Sequence, residues 1–255
     1  MADRRFKAIV LDLFGTLVEW NPNRLPTLEW NGSTFSSTVP LLIPTLKAAL
    51  GERFELDPFM RAYNSVLDEI AHQRAHDEVE VTCNERFARV LRRLGMKQAA
   101  EIESLAEALT RTHMEAVRGA TSIPPGHKEL VELLALRYRL GLLSNFDEAR
   151  TGRRIVADTG VATLFEAVVI SAEVGIRKPN PKIFALILER LGLPPDRILF
   201  VGDTLYDDVL GAKRAGIPVV WLRRGREEKF DGTAVPDFVV EELVELPQLL
   251  EVIDG

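Results

Sequence analysis

An apolar run carrying a single carboxylate, AIVLDLFGTLV from Ala8 to Val18, is the feature that most narrows what this chain can fold into. Between Ala8 and Leu13 five apolar residues flank Asp12, and Gly15 with Thr16 then break the run. This is the pattern of a buried strand that stops abruptly at its carboxyl end. In an open parallel sheet, ligands bind just beyond the carboxyl ends of the strands, so an aspartate at such an end is a candidate for chemistry. The alternative is an aspartate that merely caps the following turn.

The rest of the chain supplies the sheet. After Val18 the segment Trp20–Pro26 carries two prolines and two asparagines, and Asn31-Gly32 between strand-forming residues predicts a tight hairpin within 27–35. From Val39 to Gly119 the apolar spacing is helical. Thr82 with Glu85 three residues on marks a capping box at the start of a third helix, which Gly95 ends, and a fourth helix is expected from about 98 to 118. Pro124, Pro125 and Gly126 then punctuate the chain. Beyond them helices (130–136, 148–159, 181–191, 207–215, 246–253) alternate with strands (139–144, 167–171, 198–201, 218–222, 238–240), which implies right-handed crossovers and a parallel sheet. The expected fold is α/β: a Rossmann-like parallel sheet core built from residues 1–17 and 119–255, with a helical domain inserted over residues 18–118.

Composition limits the function. A formal net charge of -6 argues against a nucleic-acid binder, whose footprint is a basic patch. One cysteine, Cys83, leaves no internal disulfide framework. No apolar run is long enough for a bilayer span, and charged residues bracket a strand-like run at the start instead of a signal peptide. The expected setting is cytoplasmic, without membrane or nucleic-acid partners.

Four strand ends present polar residues towards one edge: Asp12 with Thr16, Ser144 with Asn145, Lys178, and Asp203 with Asp207 and Asp208. Taken singly, each has a structural explanation as a turn residue, a solvated lysine or a helix cap. Together they suggest a site. Two aspartates brought near Asp12 would raise its pKa unless a cation is present, and a hard divalent ion such as Mg²⁺, which takes oxygen ligands, resolves that conflict. A lysine, a hydroxyl and a turn amide facing the ion would cradle a phosphoryl group, with a carboxylate as nucleophile.

With these residues in place the chain resembles the haloacid dehalogenase (HAD) superfamily, in the subfamily with a helical cap inserted after the first motif. LDLFGTL resembles motif I, LLSN motif II, RKPNPKIF motif III and VGDTLYDDVLGAKRAG motif IV. The resemblance implies Asp12 as the nucleophile of a phosphatase and Lys178 as its neutralising partner. Thr16 and Ser144, with Asn145 beside them, would bind substrate. Mg²⁺ would be held by Asp12, the Phe14 carbonyl and Asp203, with Asp208 as a direct or water-mediated ligand and Asp207 the weaker candidate. The substrate class implied is a small phosphorylated metabolite.

One departure stands out. The family's phosphatases generally carry a second aspartate, an acid/base, two residues after the nucleophile, where this chain has Phe14. General acid-base catalysis is worth about 10² to 10⁴ in rate, so alkyl esters would suffer most and acyl or aryl phosphates least. A 2-haloacid dehalogenase-like activity is the second reading, since those enzymes also have a non-acidic residue there. Gly202-Asp203 in place of serine and asparagine, and Phe184 in place of a tyrosine six residues after the lysine, favour the phosphoryl site. A phosphoryl- or protein-binding module without turnover is the third. Among the remaining residues, His72 and His76 are expected on a solvated helix face. His113 is a packing residue or a substitute acid. Trp20, Arg24 and Trp30 are within reach of a substrate but read as hairpin packing, and Arg223, Arg224 and Arg226 read as a solvated loop.

Overall fold

The computed structural model describes residues 4–227, 232 and 234–254. The chain divides into two compact units, one formed by Met1–Glu19 with Ser122–Gly255 and the other by Trp20–Thr121.

The first unit is built on six parallel strands, β1 (Ala8–Leu11), β2 (Arg139–Ser144), β3 (Phe165–Ile170), β4 (Ile198–Gly202), β5 (Val219–Leu222) and β6 (Phe238–Val240). Their order across the sheet is β6-β5-β4-β1-β2-β3. Ala8 pairs with Arg139 on one side and Ile198 on the other, so β1 lies at the centre. The chain leaves β1 towards β2 and β3 and later returns to fill the other side from β4 outward. The order therefore reverses between β1 and β4, and a crevice at their carboxyl ends is the usual ligand site of such sheets.

Alternation along β1 explains why it reads as a continuous apolar run. Ile9 and Leu11 pack into a cluster with Leu142, Val201, Leu130, Ile155 and Leu246, while Ala8 and Val10 point to the opposite cluster with Phe200, Ile183, Phe184 and Val209. Both faces are covered, as parallel sheets require. The covering helices have local causes. Glu148 accepts hydrogen bonds from Arg150 N (3.1 Å) and Thr151 N (2.7 Å) at the start of helix Ala149–Asp158. Pro181 opens helix Pro181–Leu191, which Gly192 closes in a left-handed conformation at φ 59°.

The expected α/β architecture agrees with this sheet. The segment expected as helical over 207–215 is helical, but its first part, Leu205–Leu210, is a π-helical turn that leads into the α-turn Gly211–Arg214. The cause is Thr204, whose carbonyl accepts from Asp208 N and also from Val209 N, each at 3.1 Å.

The second unit holds four α-helices, α1 (Val39–Leu50), α2 (Leu56–Asp77), α3 (Cys83–Arg93) and α4 (Ala99–Gly119). The expected hairpin pairs Thr27–Trp30 with Ser33–Ser36 through Asn31 (φ 50°) and Gly32 (φ 72°), the two left-handed residues that a two-residue turn needs. Its Trp30 indole donates to Asp57 Oδ1 at 2.8 Å and ties the hairpin to α2. Only half of the expected capping box forms. Thr82 Oγ1 accepts from Glu85 N at 3.2 Å, but the Glu85 carboxylate pairs with Arg89 at 2.9 Å. Among the described residues no helix is long and apolar enough to cross a membrane.

Candidate active site

The carboxyl end of β1 delivers Asp12, whose N–H donates to the Val201 carbonyl of β4 at 2.9 Å, fixing the two strand ends side by side. Lys178, from the loop between β3 and helix Pro181–Leu191, reaches under both. Its Nζ donates to Asp12 Oδ1 (2.6 Å), Asp208 Oδ1 (2.6 Å) and the Leu143 carbonyl (3.1 Å), which uses all three ammonium hydrogens. The lysine is 2% exposed. Burial alone would lower its pKa, but Asp12 and Asp208 outweigh that and hold the ammonium above the usual lysine range. Asn145 positions this lysine: its Oδ1 accepts from Lys178 N (2.8 Å) and its Nδ2 donates to Lys178 O (3.1 Å). The amide expected to touch substrate thus grips the backbone of Lys178.

Asp208 is equally committed. Its second oxygen accepts from Asp203 N (3.0 Å), Thr204 N (2.9 Å) and Thr204 Oγ1 (2.8 Å), so the carboxylate braces the turn after β4. Gly202 makes this possible, because a Cβ there would lie 2.4 Å from Asp208 Cγ. Gly15 plays the same part for Asp203: at φ 78° it lies so close that a Cβ would stand 2.3 Å from Asp203 Oδ2. Asp12, Asp203 and Asp208 offer carboxylate oxygens all within 4.8 Å of one another, and all three are buried. Burial pushes Asp12 up to about 8; Lys178 opposes the shift, while Asp208 and Asp203 add to it. Burial, with Asp208, also raises Asp203, against the pull of Arg226. Asp207 faces Arg177 at 3.5 Å; burial raises its pKa, against the pull of Arg177, Lys178 and a hydrogen bond from Asn145.

Two hydroxyls complete the crevice. Thr16 Oγ1 and Ser144 Oγ are each buried with no hydrogen-bond partner, on residues 1% exposed. An unsatisfied buried polar group costs about 1–3 kcal/mol. Two of them flanking a carboxylate–lysine pair suit a ligand with several acceptor oxygens. The crowded carboxylates with their hard oxygen donors likewise fit a divalent cation. Phe14, half-buried, stacks on Phe146 with ring centroids 5.1 Å apart and planes inclined by 18°.

The remaining candidates resolve differently. His72 and His76 are exposed on α2. His113 is a packing residue inside the second unit: Arg86 Nη2 lies 3.1 Å from its Nε2 and Thr38 Oγ1 2.7 Å from its Nδ1. Because the guanidinium only donates, Nε2 must accept and the ring proton sits on Nδ1. Burial, with Arg86 adding, pushes this imidazole down to about 3, so it stays neutral and is no acid. Trp20 and Arg24 are exposed.

The arginine run corrects the expectation of a solvated loop. Arg226 N donates to Arg223 O (3.0 Å), closing a turn through Arg224 (φ 52°) and Gly225 (φ 71°). Arg224 donates to the Gly15 carbonyl at 3.2 Å and pairs with Glu19. Arg226 donates through Nη1 to Asp203 O and through Nη2 to Asp203 Oδ2, both at 2.7 Å. The only sequence signal for this was a glycine inside the run, which marks a turn and not what the turn carries.

A family model described as haloacid dehalogenase-like hydrolase matches residues 6–216, and the chain belongs to this family. It is 32% identical over 163 residues to a glyceraldehyde 3-phosphate phosphatase of Methanopyrus kandleri, covering 63% of this chain and 69% of that one. It is 39% identical over 127 residues to the pyrimidine 5'-nucleotidase YjjG of Escherichia coli, covering 49% and 56%. That second match thus spans little more than half of the relative's length. In fold it is similar to a 2-haloacid dehalogenase from Pseudomonas syringae pv. Tomato DC3000, with a TM-score of 0.69 at 22% identity over 97% of this chain and 99% of that one. A HAD phosphatase from Thermococcus onnurineus superposes with a TM-score of 0.63 at 23% identity over 96% and 98%. At such identities these two likenesses speak for the fold alone.

Proposed function

We propose that this hydrolase is a Mg²⁺-dependent phosphatase of a small phosphorylated metabolite, acting through an aspartyl-phosphate on Asp12. The observation that carries the reading is the pair of unpartnered hydroxyls, Thr16 Oγ1 and Ser144 Oγ, beside the Asp12–Lys178 pair. Relatives named as phosphatases and nucleotidases support it. An Asp12 carboxylate oxygen attacks phosphorus, and the bond to the leaving oxygen breaks with its electron pair going to that oxygen. Thr16 and Ser144 donate to phosphoryl oxygens, and Lys178 offsets negative charge on the nucleophile and phosphoryl group. Water then attacks phosphorus, the bond from phosphorus to the Asp12 oxygen breaks with its electron pair returning to the carboxylate, and the water proton leaves on the phosphate released. Asp12, Asp203 and the Phe14 carbonyl would hold Mg²⁺. Asp208, with both oxygens engaged, would contribute through water. When bound, the ion supplies positive charge to the phosphoryl oxygens. Phe14 offers the leaving group no proton, which favours acyl and aryl phosphates. A cytoplasmic setting suits the single, buried Cys83.

Phosphate release from a panel of phosphorylated metabolites, with Mg²⁺ and with a chelator, tests the reading. Activity should need the ion and vanish in Asp12→Asn; activity indifferent to chelation, or retained in that variant, would sink it. The dehalogenase reading draws on Phe14 but is disfavoured by Asp203 and by Phe184, which is fully buried against Phe200 in the sheet core. Halide release from 2-haloacids without metal would reinstate it. Metal-dependent binding of a phosphate mimic without any turnover would instead indicate a binding module.

A further inference from the structure

Arg226 is a second cation of the carboxylate cluster, alongside Lys178. It grips the main-chain oxygen and one carboxylate oxygen of Asp203, each at 2.7 Å, from a turn held at several points. Arg224 N donates to Glu241 O (3.1 Å), Gly225 N to Glu241 Oε2 (3.0 Å), and Arg223 Nε to Glu241 Oε1 (2.7 Å). Asp203 has little room to withdraw from this grip: its carboxylate lies flat against Gly15, and its main-chain oxygen also accepts from the Trp221 indole at 3.0 Å. Three carboxylates thus face two resident cations, Lys178 on Asp12 and Asp208, and Arg226 on Asp203.

We propose that Arg226 sets the metal affinity of this site, acting as a tethered counter-cation of Asp203 that weakens divalent-ion binding. The inference rests on the reading of Asp12 and Asp203 as metal ligands. The argument is one of charge. A divalent ion seeks the most negative point of the cluster, and the guanidinium reduces the negative charge there while occupying one of the two Asp203 oxygens. Like charges a few ångströms apart in a partly buried site repel by an amount well above thermal energy. With its side chain 36% exposed, Arg226 still has solvent around it, which tempers the effect and makes substitution tolerable. Arg226 is therefore a positioning and tuning residue, touching a ligand and not the reacting atoms.

Calorimetric titration of the full-length protein with Mg²⁺ alone, without substrate, tests this. Arg226→Met should bind Mg²⁺ about threefold or more tighter than the wild type, since the repelling charge is gone. Arg226→Lys, which keeps the charge but not the fork, should stay within about twofold of the wild type. Wild-type binding with an unchanged or weaker affinity in Arg226→Met overturns the inference and leaves the metal reading standing. A lysine variant as tight as the methionine variant overturns charge as the cause. No Mg²⁺ binding by the wild type or Arg226→Met overturns the metal reading and this inference with it. Circular dichroism of each variant verifies that it is folded; should the methionine variant fail to fold, Arg226→Gln provides the same comparison.

Discussion

One residue, Leu13, separates Asp12 from Phe14, and at this scale the two divide the proposed chemistry. On the proposed reading Asp12 is the nucleophile: it pairs with a lysine at 2.6 Å, and the Thr16 and Ser144 hydroxyls are buried without partners. On the same reading Phe14, which stacks on Phe146, takes the place of an acid that would serve the leaving group. Phe14→Asp should therefore raise turnover of alkyl phosphates by about tenfold or more, because general acid catalysis is worth at least that. Aryl phosphates, whose leaving groups need no proton, should change little. Loss of the ring stack should lower stability by about 1 kcal/mol. Steady-state kinetics on a matched alkyl and aryl pair checks this; equal effects on both, in a folded variant, would show that Phe14 does not occupy the acid's place. Asp12 was legible in the sequence as a candidate because three other strand ends also carry polar residues, not from its own apolar run, where a turn cap was an equal alternative. Arg226 was not. Its contact with Asp203 depends on two consecutive left-handed residues, Arg224 and Gly225, which aim a side chain that the sequence pattern leaves in solvent.

At the scale of elements, the turn after β4 holds the candidate site together. Asp208 accepts from three donors on Asp203 and Thr204 with one oxygen and holds Lys178 with the other, so a single side chain couples the turn to the lysine. Gly202 leaves the space this needs. Gly202→Ala would drive a methyl group to 2.4 Å from Asp208 Cγ. We expect a loss of about 1–3 kcal/mol in stability from the forced shift and a fall of at least about 10²-fold in kcat, since displacements near 1 Å cost that much. Chemical denaturation and initial rates check both. A folded alanine variant with full activity would mean that the Asp208 brace is dispensable. Sequence periodicity located strands such as Arg139–Ser144 and helices such as Pro181–Leu191, whose signals are local: an apolar run, a proline at the start and a glycine at the end. It missed the π-turn Leu205–Leu210, because that turn follows from Thr204 O accepting two N–H groups, a hydrogen-bond choice with no apolar period. Nor could the sequence show that Asn145, which the family resemblance places with the substrate-binding residues, holds the Lys178 backbone through its amide.

Over the whole molecule, the candidate site and one acid-sensitive buried centre fall in different units. Asp12, Thr16, Ser144, Lys178, Asp203, Asp208 and Arg226 all come from the first unit, assembled from segments far apart in sequence by the strand order β4-β1-β2. The second unit has its own buried polar centre, in which His113 lies between Thr38 and Arg86 and edge-on to Phe87. Burial and then Arg86 lower this imidazole from 6.5 to about 3, so the folded protein keeps it neutral where the unfolded chain protonates it. The sign follows from linkage: a group with a depressed folded pKa contributes stability that is complete above the unfolded value and is lost as pH falls towards the folded one. Wild-type stability should therefore decline from about pH 6.5 downward through this residue, by on the order of 2–3 kcal/mol at pH 4.5. His113→Asn, which cannot titrate, should be less stable than the wild type at pH 7.5, and the gap should shrink by that amount at pH 4.5. Unfolding free energies of both proteins at the two pH values measure it, because the acid response of every other group cancels in the difference. A gap that stays constant, or an NMR signal of His113 that titrates between pH 5 and 7 in the folded protein, would show that the ring is not held neutral by this environment.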